Sequence, residues 1–129
     1  IKNEVKNLTN NLIYNNNYIK NIKENNYSIV IPTMWKSINK LKIMLNIYEK
    51  NTQIKEVIII DNDPINKIDI SEFKKILYYT NNKNIYVNPA WNFGYSISNY
   101  KLILANDDII IHNLNDVLNI ISNNKTTMQ

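Results

Sequence analysis

The sequence predicts an α/β sandwich with a mostly parallel central sheet. Three observations carry that expectation. Short β-branched runs alternate with segments whose apolar residues recur at helical spacing, the pattern of strand–helix–strand units. The runs end in polar residues (Thr33, Asp61, Asp107), as strands do where they open into loops. The chain has 129 residues, 44% of them apolar, enough for the core of one domain of ordinary size.

Residues 1–26 stand apart as an N-terminal helical extension. Val5, Leu8, Leu12, Ile19 and Ile22 recur at helical spacing among Asn and Lys, an amphipathic stripe suited to packing on the domain or joining copies of the chain. Residues 27–129 form the main domain. Ser-Ile-Val-Ile-Pro at 28–32 reads as a buried strand stopped by Pro32. The loop Thr33–Lys36 follows, then a helix from about Ser37 to Lys50. Ser37 is its expected N-cap, and Ile38, Leu41, Leu45 and Tyr48 make its apolar stripe.

Glu-Val-Ile-Ile-Ile at 56–60 is a second buried strand, ending in the turn signal Asp61-Asn62-Asp63-Pro64. A helix is expected over Ser71–Tyr78, a short third strand over Asn84–Val87, and a loop over Asn88–Tyr95 holding the only glycine. The fourth strand, 101–105, belongs to the run Leu102–Ile111, which reads as buried and is interrupted by the doublet Asp107-Asp108. Ile109–Ile111 continue extended, and Leu114–Ser122 close with a helix. Adjacent acids at a strand end are either a solvated edge or an oxygen-rich cation site, because a buried acid needs a partner. Ligands of parallel sheets bind beyond the carboxyl ends of the strands, where Thr33, Asp61, Asn92 and Asp107 are all expected.

Composition narrows the function classes. Without cysteine, disulfides, thiolate catalysis and Cys-based zinc sites are excluded. Every basic residue is Lys, and Asn, Ile, Lys and Tyr dominate, the signature of an AT-rich genome. The net charge is +4, but the lysines are scattered, so no specific nucleic-acid binder is expected, and a groove that attracts a diphosphate explains the charge equally well. No apolar stretch reaches the ~20 residues of a membrane span, and no signal-peptide segment opens the chain. A soluble cytoplasmic protein is the default expectation, and a start at Ile1 suggests part of something longer. The absence of a Gly-rich turn after the first strand disfavours a dinucleotide or Walker-type phosphate loop.

Taken in order, Ile-Val-Ile-Pro-Thr at 29–33, Val-Ile-Ile-Ile-Asp-Asn at 57–62, Asn-Phe-Gly-Tyr at 92–95 and Leu-Ala-Asn-Asp-Asp-Ile at 104–109 resemble the donor-binding half of a GT-A glycosyltransferase. The likeness is greatest to the inverting family 2 group and covers about residues 28–122. It implies a GT-A (Rossmann-like) fold that binds a nucleotide-diphosphate sugar with Mn²⁺ or Mg²⁺ and transfers the sugar to a hydroxyl acceptor on a glycan, protein or lipid. Pro32, Thr33 and Trp35 would lie against the base, with Trp35 stacking on it or, alternatively, packing as a cap on the first helix. Asp61 and Asn62 would read the base of a UDP-, GDP- or dTDP-sugar; many members carry Asp at both positions. Asn92 and Gly94 match the family's Asn-x-Gly element, where Gly94 permits a positive φ or close approach of a phosphate. Asp108 would ligate the cation directly, and Asp107 would reach the ribose or the metal through water.

The family's catalytic base lies in the acceptor half, so no catalytic residue is named. Glu49, Glu56 and Glu72 read as solvated charges, and His112 as a surface residue. The competing expectation is a non-catalytic Rossmann-like interaction module whose acids are turn residues and whose N-terminal helix mediates oligomers.

Overall fold

The computed structural model describes residues 25–123. The helix expected over 1–26 falls almost wholly outside them. Four strands, β1 (Tyr27–Thr33), β2 (Ile54–Asp61), β3 (Ile76–Thr80) and β4 (Lys101–Leu104), form one parallel sheet in the order β3-β2-β1-β4. Three α-helices, α1 (Ile38–Lys50), α2 (Val87–Ile97) and α3 (Leu114–Asn123), cover it. The fold is a Rossmann-like α/β/α sandwich.

Side chains alternate across the two faces of the central strands. Ile29, Ile31, Val57 and Ile59 meet Leu41, Met44, Leu45 and Tyr48 of α1 and Leu114 and Leu118 of α3 on one face. Val30, Ile58 and Ile60 meet Ala90 and Phe93 of α2 on the other. With both faces covered, β1 and β2 need near-continuous apolar sequence, which is what their β-branched runs supply. Among the described residues no helix is long and apolar enough to cross a membrane.

The structure departs from the sequence expectations at several places. No helix forms over Ser71–Tyr78. The Asp69 carboxylate accepts the Ser71 N–H (2.9 Å) and hydroxyl (2.7 Å), closing a turn. Glu49 of α1 then accepts the N–H groups of Lys74 (3.0 Å) and Lys75 (3.1 Å). Ile76–Thr80, aromatic and β-branched, pairs with β2 instead, so the third strand is β3 rather than 84–87.

The expected loop 88–95 is helix α2. Pro89 is its third residue, where the missing N–H has no intrahelical partner to lose. Ser37 precedes α1 but makes no side-chain cap. β4 ends at Leu104 and is a half-exposed edge strand, not a buried one; Leu104 and Ile109 are both exposed, and Ile109–Ile111 form no strand.

Glu56, expected to be solvated, is buried. Its carboxylate accepts the Ser28 hydroxyl (2.5 Å), the Asn99 N–H (2.6 Å) and the Asn99 side-chain amide (3.1 Å). Ser28 Oγ in turn accepts the Tyr100 N–H at 3.1 Å, so this carboxylate fastens the α2–β4 connection to the amino end of the sheet. Glu72, by contrast, is exposed, with its carboxylate 3.7 Å from Lys42.

Candidate functional site

Strand order reverses between β1 and β4, and the carboxyl edge at such a reversal is where α/β sheets open a crevice. A cleft of about 350 Å³ lies there. Pro32, Thr33 and Lys36 line it from the β1 side, Asn62 from the end of β2, Tyr86 from the segment before α2, and Asp107 and Asp108 from beyond β4. Thr33 ties the tips together. Its hydroxyl donates to Asp107 Oδ2 at 2.7 Å and accepts the Trp35 N–H at 3.0 Å, and its carbonyl accepts the Asn62 N–H at 2.9 Å. Side chains separated by 74 positions are thereby brought to one point.

Asp61 is fully buried and its acceptors are occupied. Oδ1 takes the Trp35 indole N–H at 2.9 Å and the Asp63 N–H at 2.8 Å; Oδ2 takes the Tyr78 hydroxyl at 2.6 Å. Burial, with this bond and the neighbouring carboxylate behind it, pushes the Tyr78 hydroxyl up to about 12, which keeps its proton on the shared bond. Trp35 is only 3% exposed and packs in the α1 face of the core, so no face of the indole is open to a base. Its φ of 62° is unusual for a bulky residue. Bonds from its backbone and its ring hold it there. Packing is the role the geometry carries for Trp35, and Asp61 is its anchor beneath the cleft.

Asn62 is also committed to the fold. Its Oδ1 accepts the Ile85 N–H at 3.1 Å, and its Nδ2 donates to the Tyr86 carbonyl at 3.5 Å. Asn92 is exposed on α2, and neither it nor Gly94 lines the cleft. The φ of Gly94 is not positive, and a Cβ there would lie 2.3 Å from Val30 Cγ1. This glycine serves close packing of α2 on β1. His112 is exposed in the turn before α3.

Asp107 is half-buried and Asp108 exposed, both facing the cleft. No group of three or more His, Cys, Asp or Glu side chains suited to a metal occurs among the described residues. A cation here would take its protein ligands from Asp107 and Asp108. Mg²⁺ fits such a set, because it keeps several waters and is held by one or two carboxylates plus substrate phosphates.

Two further side chains of the cleft, given no site role from the sequence, bring a charge and a ring to it. Lys36 supplies an exposed ammonium, and Tyr86 an aromatic ring that is 70% exposed. Lys36 carried no signal beyond its place after the first strand, and Tyr86 read as an ordinary strand residue. Against known proteins, no protein-family model matches the chain, and no curated protein matches it at a significant level.

Proposed function

We propose that this chain binds a nucleotide-diphosphate sugar with Mn²⁺ or Mg²⁺ in the cleft and serves as the donor site of a GT-A-type glycosyltransferase, which passes the sugar to a hydroxyl acceptor. The observation that carries the reading is the bond from Thr33 to Asp107. It joins the tips of β1 and β4 at the order reversal and fixes one carboxylate beside a second that is free to turn.

A cation bound between the carboxylates and a diphosphate would stabilise the leaving group as a Lewis acid. The chain's own part is positioning and charge. Thr33 orients Asp107, exposed Asp108 turns toward the ligand without disturbing the fold, and the Lys36 ammonium offsets phosphate charge. No acid or histidine other than Asp107 and Asp108 lines the cleft among the described residues, so no base is assigned.

One observation favours the interaction module. Asp61 and Trp35, both suited by type to a ligand, are occupied by each other. The two readings part on thermal melting of the chain with Mn²⁺ plus UDP, GDP or dTDP. Ligand at 100 times its Kd stabilises by about 2.7 kcal/mol, a rise of roughly 10–20 °C for a domain near 100 residues. No shift with any of the three refutes the donor site and leaves the module.

A further inference from the structure

We propose that Tyr86 is the surface on which the nucleotide base stacks, and that Asn62 is its positioning residue; this deepens the donor-site reading and rests on it. Tyr86 is the one aromatic side chain lining the cleft among the described residues. The aromatic expected to stack, Trp35, is sealed in the core. A large ring left 70% exposed gains little for the fold from burial. Its backbone stands at φ 68°, ψ 179°, a region that is essentially glycine's alone.

The chain holds this tyrosine there with three bonds. The Tyr86 N–H donates to Asn84 Oδ1 at 2.7 Å. Its carbonyl accepts the Ala90 N–H of α2 at 3.3 Å and the Asn62 amide at 3.5 Å. Asn62, 6% exposed, also holds the Ile85 N–H, so both ends of a buried amide fix the two residues that set the ring's direction. Strain maintained against the backbone's preference, at the rim of a cleft, is a mark of a site. The cleft of about 350 Å³ is at the lower end of the range for small-molecule sites, and it carries the carboxylates and Lys36 that would meet the diphosphate.

Every base has a π face, so a stacking ring separates nucleotides from bare pyrophosphate rather than one base from another. Asn62, with its amide engaged in the fold, adds no base reading. UDP and GDP are therefore expected to gain similarly over pyrophosphate.

The test is calorimetric titration of the full chain with Mn²⁺ and UDP, GDP or inorganic pyrophosphate. It uses the wild type, Tyr86→Phe, Tyr86→Gly and Asn62→Ala. Tyr86→Phe keeps wild-type affinity. Tyr86→Gly loses about tenfold or more for UDP and GDP and nothing for pyrophosphate. The same variant melts at a higher temperature than the wild type, because glycine relieves the strained backbone; a merely structural tyrosine would not weaken binding while the fold strengthens. Asn62→Ala, with the ring intact, weakens both nucleotides and spares pyrophosphate. Unchanged UDP and GDP affinity in Tyr86→Gly, with pyrophosphate still bound, overturns the stacking role and leaves the donor site standing. Absence of binding by the wild type to all three ligands overturns both.

Discussion

Replacing Gly94 with alanine would put a methyl carbon 2.3 Å from Val30 Cγ1, 2.6 Å from Cγ2 and 3.0 Å from Cβ. Val30 is fully buried in β1 and paired on both sides, and a β-branched side chain has little rotamer freedom with which to yield. The helix or the strand must therefore move. Gly→Ala inside a helix is by itself favourable by about 1 kcal/mol, while overpacking a well-filled core costs about 1–3 kcal/mol. With two contacts below 3.0 Å the upper end applies, leaving a net loss of about 2 kcal/mol. For a domain near 100 residues that is a fall in Tm of roughly 8–16 °C. The assay is urea and thermal unfolding of the wild type, Gly94→Ala, Val30→Ala and the double variant. Val30→Ala removes the clashing methyls, so the double variant should retain at least about 1 kcal/mol more than the sum of the two losses allows. Nucleotide affinity, measured well below the melting range, stays at the wild-type value. A rise in Tm for Gly94→Ala refutes the packing role, and a loss of nucleotide affinity at unchanged stability returns this glycine to the phosphate role.

Glu56→Ala strands the Ser28 hydroxyl and the Asn99 N–H in a buried site, so urea unfolding should show a loss of about 3 kcal/mol, against roughly half that for Glu56→Gln. Losses under about 0.5 kcal/mol for both would mean the cluster opens to water. Burial pushes the Tyr48 hydroxyl from 10.0 up to about 12, so the folded chain holds that proton more tightly than the unfolded one. Its contribution is complete below pH 10 and declines as pH rises toward about 12, by up to ~3 kcal/mol. Melts from pH 9 to 12 should therefore fall less steeply for Tyr48→Phe, whereas equal slopes would remove Tyr48 from the account. The other raised tyrosine, Tyr78, adds to the alkaline loss in the same direction. Asp108→Asn, at an exposed position, should leave the free chain's unfolding free energy within about 0.5 kcal/mol of wild type while abolishing the Mn²⁺-dependent rise in Tm with UDP; a rise that survives would move the cation elsewhere.

β1, β2, α1 and α3 were legible because their signals are local: a β-branched run or an apolar stripe. β3 and α2 were not. The segment at 71–78 has apolar residues that suit a helix, but Glu49, 25 positions earlier, captures the N–H of Lys74, and the edge of β2 takes the chain beyond it. Asn88-Pro89 has the composition of a turn yet sits in a first helical turn, where proline's missing donor does no harm. In the cleft, Pro32, Thr33, Asn62, Asp107 and Asp108 are the lining residues that the motif order in the sequence also names. Asp61 and Trp35 were equally good by type, but they bond to each other across 26 positions and turn away from the ligand space.

The α/β class, the two central strands and the edge that gathers polar tips follow from periodicities of two and of 3.6, properties each residue shares with its near neighbours. Which carboxylate stays open and which is sealed depends on partners far along the chain, as does the identity of the aromatic that faces outward. The Thr33–Asp107 bond, the Trp35–Asp61 bond and the grip of Asn62 on Tyr86 exist only once the sheet has assembled, and no short window of residues contains both ends of any of them.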